Sequence, residues 1–137
     1  MLYAYNTASQ TVLTGAPVIF STVGVETGCT AVLNSGSVRI NRSGLYIVHV
    51  NLDAATSGTS ENLKFQLTQN GSAVAGVSMS ANSASATDLE NLAMTAIVRV
   101  APNCCVNTSN IPTTLAVICS GVGATISNAA ITVSKIG

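Results

Sequence analysis

Few residues in this 137-residue sequence could carry chemistry, and their spacing argues against most reactions. His49 is the one histidine, and so the one imidazole available as a base near neutral pH. It stands inside the apolar run Leu45-Tyr46-Ile47-Val48-His49-Val50, and no Gly-x-Ser-x-Gly elbow supplies it with a nucleophile. The five acids, Glu26, Asp53, Glu61, Asp88 and Glu90, are scattered. Asp88 and Glu90 would point the same way on an extended chain, which is how a solvated strand end is usually built. No catalytic pair follows, and the expectation is a protein that is not an enzyme and needs no cofactor.

Metal chemistry fares little better. Asp53 and Glu61, at the two ends of one predicted loop, form the only candidate calcium pair, and calcium takes six or more oxygens. Cys29, Cys104, Cys105 and Cys119 lack the C-x-x-C spacing of a zinc site. Cys104 and Cys105 are adjacent. Their α-carbons sit about 3.8 Å apart, while a disulfide usually needs at least about 4.4 Å. Links within or between subunits remain open to that pair. Cys29 opens a predicted strand and Cys119 alternates with Leu115 and Val117, so both read as small buried hydrophobes. Asn41-Arg42-Ser43, Asn70-Gly71-Ser72 and Asn107-Thr108-Ser109 match glycosylation sequons, as chance provides in a chain so rich in Ser, Thr and Asn.

Composition narrows the classes further. Charged residues make up 7% of the chain and the net charge is 0; an ordinary globular protein is about 25% charged. No basic patch is available for a phosphate backbone, so a nucleic-acid partner is not expected. No segment reaches the roughly 18 uninterrupted apolar residues of a membrane span, so direct membrane insertion is not expected either. The first charge is Glu26, so the basic start of a signal peptide is missing. Either no secretion signal is needed or a longer N-terminal part has been cut away. With 47% hydrophobic residues and so few charges, the surface is either a neutral coat of Ser, Thr and Asn or is partly enclosed between subunits. The second reading fits the combination better.

Any such residues must be held by strands. β-branched residues are frequent and no stretch keeps a helical period for three turns. The centre of the pattern is 44–53. There Tyr46, Val48, Val50 and Leu52 share one face of an extended strand, while Leu45, Ile47 and His49 share the other. A strand apolar on both faces cannot leave one in water. Further strands are predicted at 2–8, 16–20, 29–33, 37–41, 63–69, 72–79, 89–100, 114–120 and 125–136. Phe65 and Leu67 join the buried set on 63–69, and Val77 and Met79 are expected on the buried side of 72–79. Gly24 and Gly28 bracket a predicted turn, and Asn70-Gly71 is the strongest hairpin signal. Loops are expected at 54–62, 81–87 and 102–113. So many short strands at this spacing, without an internal repeat, predict one all-β domain over 1–137, an antiparallel sandwich or jelly roll of about ten strands. The doubly apolar strands (44–53, 89–100 and part of 125–136) contrast with half-polar ones such as 63–69, suggesting one sheet facing a partner and one facing water.

Val38-x-Ile40-x-x-x-Gly44-x-Tyr46-x-Val48, followed by the Asn70-Gly71 hairpin and an alternating last strand, resembles the jelly-roll superfamily of tumour necrosis factor and the complement q-subcomponent globular heads. The usual final aromatic cluster is replaced here by Ile131, Val133 and Ile136, a lean version similar to bacterial and phage members. The resemblance implies a homotrimer built on the sheet that holds the central strand, and a binding role without catalysis. The trimer face would comprise Leu45, Ile47 and His49, with Ile97 and Arg99 from 89–100. His49 reads either as a neutral imidazole bonded to a neighbouring strand or as one of three meeting near the axis. Three functions follow as expectations. One is an adhesion tip on a cell surface, spore or virion fibre, binding a host-surface protein or glycan through its loops. Another is a purely structural trimerisation cap. A secreted signalling ligand fits less well, because no secretory or membrane anchor is present.

Overall fold

A computed structural model of the chain describes residues 1–101 and 112–137. Among these residues it contains eleven strands: β1 (Leu2–Asn6), β2 (Gln10–Val12), β3 (Thr22–Glu26), β4 (Ala31–Asn34), β5 (Ser37–Ile40), β6 (Gly44–Thr56), β7 (Glu61–Gln69), β8 (Ser72–Ser83), β9 (Glu90–Val100), β10 (Thr113–Cys119) and β11 (Ala124–Lys135). They form two antiparallel sheets. The larger runs β3-β1-β11-β6-β9, with β2 on one end of β11; the smaller runs β4-β5-β10-β7-β8. The two sheets close over one apolar core, giving an antiparallel jelly-roll sandwich.

Alternation in β6 decides which residues enter that core. Tyr46, Val48, Val50, Leu52 and Ala54 point inward and are buried, and Phe65 and Leu67 meet them from β7. Val77 is only partly buried, while Met79 is buried. Tyr46 is the largest fully buried side chain, and its hydroxyl donates to the Arg42 carbonyl at 2.7 Å. That bond satisfies the one polar atom on an otherwise apolar ring. Burial pushes its phenol above the usual 10.0, and the Arg42 guanidinium offsets part of that.

Gly44 precedes it with φ +144, a conformation that side chains with a Cβ rarely adopt. A Cβ there would lie 2.5 Å from the Gly137 carbonyl oxygen. The space lets the chain's last residues pair with the start of β6: Leu45 N–H donates to Gly137 at 3.0 Å and Ile136 N–H to Leu45 at 2.8 Å. The Gly-x-Tyr spacing thus joins a close backbone approach to a buried anchor.

Turns follow local chemistry where the residues demand it. Asn70 and Gly71 both take positive φ, as a type I′ hairpin requires, and Ser35 and Gly36 do the same between β4 and β5. In β11, Ser127 is an extra residue between the pairs Ile126↔Ala54 and Asn128↔Asp53. This bulge lets Ala124–Ile126 pair with β2 and Ala129–Val133 with β1, while β6 runs along the other side.

Several expected boundaries move. Residues 16–20 are not a strand but make one isolated bridge, Pro17 to Ile118. The supposed turn around Gly24 is edge strand β3, whose residues are all exposed and whose short Val23-Gly24-Val25 alternation is interrupted by a glycine that reads as a turn. The central strand runs on to Thr56, because Ala54, Ala55 and Thr56 are small enough to be buried where the sheets converge. The polar loop expected at 54–62 therefore shrinks to 57–60, and β8 likewise extends to Ser83.

Register also sorts the loops between two ends. Met1, Gly137, Arg42 and the Asn70-Gly71 hairpin lie at one end, here the base, where Gly44 faces Val100 and Lys135 faces Tyr46. Segments 57–60, 84–89 and 120–123 lie at the top, where Thr56 N–H donates to Ser83 Oγ at 3.0 Å. The chain leaves β9 at the base, the end opposite to the segments 57–60 and 84–89. Residues 102–111 of the loop expected at 102–113 lie outside the described residues, as do Cys104, Cys105 and Asn107.

Tyr46→Ala should cost about 3–5 kcal/mol in chemical denaturation. Tyr46→Phe, which removes only the hydroxyl, should cost about 0.5–1.5 kcal/mol. Since burial keeps the phenol neutral, its contribution should hold below pH 10 and fall as pH rises further, a loss absent from Tyr46→Phe. Gly44→Ala should destabilise by about 1–3 kcal/mol through backbone strain, with equal losses in both Tyr46 backgrounds if the two act independently.

Candidate functional site

The outward face of the larger sheet is built from residues that alternate with the core set. On β6 these are Leu45, Ile47, His49, Asn51 and Asp53. Directly opposite them on β9 stand Arg99, Ile97, Thr95, Ala93 and Asn91. Cross-strand neighbours of this kind have side chains in contact range. The five residues expected at the trimer face therefore share one surface. Toward the base it is apolar: Leu45 is 41% exposed, Ile97 63% exposed, and Ile47 lies half-buried beside Ile97. Toward the top it is a polar ladder. The Asn91 amide donates to Asn51 Oδ1 at 2.7 Å and to Asp53 Oδ1 at 2.8 Å.

His49 joins the two zones. Its Nδ1 lies 2.8 Å from the Thr95 hydroxyl, on the neighbouring strand. The ring's near partner is thus a hydroxyl rather than a carboxylate. On the other flank His49 faces Thr132 of β11. A shallow depression of about 370 Å³ opens over this region, bounded by His49, Thr95, Thr132 and Tyr3.

Tyr3 and Tyr5 extend the face across β1, with ring centroids 5.7 Å apart and planes tilted by 36°. They lie over Gly24 of β3, where a Cβ would sit 2.6 Å from the Tyr3 ring. Sequence reading placed 2–8 in a strand without assigning these rings to the face. The alternation of Leu2, Ala4 and Asn6 into the interior was the available signal.

The outer face of the smaller sheet differs. Lys64, Gln66, Ser78, Ser80, Arg39 and Thr114 occupy it, and polar groups prevail. The three strands expected to be apolar on both faces, β6, β9 and β11, are neighbours in one sheet, while half-polar β7 lies in the other. β11 corrects that expectation, since it turns Thr125, Ser127, Ala130, Thr132 and Ser134 outward. β9 is less greasy outside than its sequence suggested: Ile97 is its one large outward aliphatic residue.

The weak calcium pair does not converge. Asp53 belongs to the larger sheet, where Asn91 holds its carboxylate, and Glu61 starts β7 in the smaller one beside Ser83. Among the described residues no group of three or more His, Cys, Asp or Glu is placed to hold a metal ion. Cys119 is buried, with Sγ 3.1 Å from the Val122 carbonyl, and burial pushes its thiol above the usual 9.0. Cys29 corrects the expectation: it is exposed, because β4 begins only at Ala31 and Cys29 falls in the preceding turn.

The ten charges are sorted along the molecule. Arg39, Arg42, Arg99 and Lys135 lie toward the base with Glu26, whereas Asp53, Glu61, Asp88 and Glu90 lie toward the top with Lys64. A chain of zero net charge thus has a cationic end and an anionic end.

The two sheets and their strand order make a jelly-roll fold, the fold also seen in tumour-necrosis-type and complement globular-head structures. Solved structures share it at low sequence identity. The globular domain of zebrafish complement 1qA protein superposes with a TM-score of 0.70 at 9% identity, covering 99% of this chain and 96% of that one. Eiger TNF from S. frugiperda gives 0.64 at 14% identity, covering 99% and 92%. The vertex protein of PRD1 gives 0.60 at 14% identity, covering 99% and 96%. By sequence, no protein-family model and no curated protein matches the chain.

Peptide-resolved alkylation of the native protein should modify Cys29 rapidly and Cys119 only after denaturant is added, since the thiolate is the reactive form. Equal labelling of both without denaturant would contradict the burial of Cys119.

Proposed function

We propose that this chain is a non-catalytic head domain that forms a homotrimer through the outer face of its larger sheet, on an extracellular surface structure or a virion. One observation carries the proposal. Leu45, Ile47 and Ile97 form an exposed apolar patch on one sheet, while the other sheet turns a polar face to water. Burying an aliphatic side chain contributes roughly 1.5–3 kcal/mol, so three copies of the patch favour association over exposure. The fold shared with complement, TNF and vertex proteins supports an extracellular or virion setting.

Within that reading, the head is an adhesion or receptor-binding tip for a host-surface protein or glycan. Rigid sandwiches of this kind carry recognition on their loops and rims. A structural cap is the second reading, favoured by the top segments 57–60 and 120–123, which are short and built from Ser, Gly, Thr and Val. A signalling ligand stands third. A glycan array and a cell-binding assay separate the first two readings, since a cap would bind neither.

Sedimentation at micromolar concentration should show a trimer at neutral pH. Ile47→Asp and Ile97→Asp should each dissociate it while the circular dichroism spectrum stays that of a β-sandwich, because a carboxylate in the joint would be unpaired. A monomeric native chain would overturn the assembly.

A further inference from the structure

At the base, between the β7–β8 hairpin and the end of β9, a groove of about 490 Å³ is lined by Gln69, Asn70, Ser72, Ala73, Ala75 and Arg99. Pockets of this size hold a small ligand. Its geometry is fixed by two hydrogen bonds. Gln69 Nε2 donates to the Arg99 carbonyl at 3.0 Å, joining the two sheets, and Thr114 N–H donates to Asn70 Oδ1 at 2.9 Å. These bonds leave Gln69 Oε1 as an acceptor and the Asn70 amide nitrogen as a donor, beside the Ser72 hydroxyl and the Arg99 guanidinium. Val74, partly buried against the core, supplies a small apolar floor between the exposed Ala73 and Ala75.

The edge beside the groove is closed to a peptide strand. Thr68 pairs with Ala73 and Gln66 with Ser78, so Leu67 alone stands against residues 74–77. Gly76, with φ 75, turns this bulge out of the ladder. A bulged edge cannot template another strand, so recognition falls to side chains around a compact ligand. Arg39, Arg42 and Lys135 share the base with Arg99 and are opposed there by Glu26 alone, which favours an anionic ligand.

We propose that this groove binds the carboxylate-bearing unit of an acidic saccharide, with Arg99 gripping the carboxylate and Gln69, Asn70 and Ser72 reading ring hydroxyls. The proposal rests on the reading of the chain as a binding head, and it assigns Arg99, at the border between β9 and the β7–β8 hairpin, to the groove and leaves Leu45, Ile47, His49 and Ile97 to the trimer face. Paired carboxamides and a hydroxyl supply donors and acceptors together, as polyhydroxylated rings require, and a guanidinium matches a carboxylate in two parallel bonds.

The test is an amide NMR titration of the native protein with D-glucuronate, D-glucose and acetate. Glucuronate should bind with Kd of about 1 mM and shift the amides of residues 69–75 and 99, while glucose and acetate each bind about tenfold more weakly or worse. Arg99→Gln should reduce glucuronate affinity about tenfold. Ala75→Tyr, at an exposed position, should block the groove with the cations intact, and Lys64→Gln at the other end should change nothing. Glucuronate binding no better than glucose, shifts confined to other residues, or unchanged affinity in both groove variants would overturn the site. Tighter binding of a short polyglutamate peptide would overturn it in favour of an acidic protein partner. Sedimentation of the same samples separates the two claims. A trimer that binds no glucuronate sinks the groove alone, and a monomer that binds it sinks the trimer alone.

Discussion

The sandwich depends on the register of β6. Tyr46, Val48, Val50 and Leu52 fill the core only while they alternate inward, and a slip of one residue would bury His49, Asn51 and Asp53 in their place. Two neighbours hold that register along most of the strand, β9 on one side and β11 on the other. The ends are pinned as well. At the base, the Tyr46 hydroxyl bonds the Arg42 carbonyl and Leu45 exchanges backbone bonds with Ile136 and Gly137. At the top, Thr56 N–H bonds Ser83 Oγ, tying β6 to the opposite sheet. The same alternation that fills the core sets out Leu45, Ile47 and His49 on the face behind it, so core and candidate interface come from one constraint.

Much of this was legible because strong periodicity and turn chemistry are local. The central strand, the Asn70-Gly71 turn and the alternation of 63–69 each carry their signal within a few residues. Residues 13–28 mislead, because Val23 and Val25 alternate around a glycine that reads as a turn. β3 lies at an edge with every residue exposed, and its Gly24 is required by the tyrosine rings above it, a contact made by a strand some twenty positions away. Pro17 makes a single bridge to Ile118 instead of part of a strand. The end of β6 was missed for the opposite reason: Ala55 and Thr56 are small or polar, and tertiary packing alone buries them.

The candidate face was readable as a stripe on each strand but not as a surface. Which outward residues meet depends on the pairing of β6 with β9, and sequence alternation cannot supply a register between distant strands. Pairing puts Ile47 beside Ile97 and His49 beside Thr95, turning two stripes into an apolar zone and a polar ladder. The same dependence hid how the connections are divided: 57–60 and 84–89 share the top, while the chain leaves β9 at the base. Asp53 and Glu61 looked like neighbours because they flank one connection, but that connection crosses between sheets and carries them apart.

Strand β11 follows every other strand in this chain yet sits in the middle of the larger sheet, between β1 and β6. During synthesis, β1, β2 and β6 therefore wait with unpaired edges until β11 emerges. Pairings between the two ends of a chain are slow to form, since the intervening loop must be closed first. A chain stopped at residue 123 would lack not an edge but the seam of its sheet, leaving β1 without its inner partner and Tyr46 without the neighbour at Lys135. Such fragments would expose strand edges and apolar side chains together, the condition for aggregation. The topology thus makes folding an all-or-none test of whether translation reached the final strand.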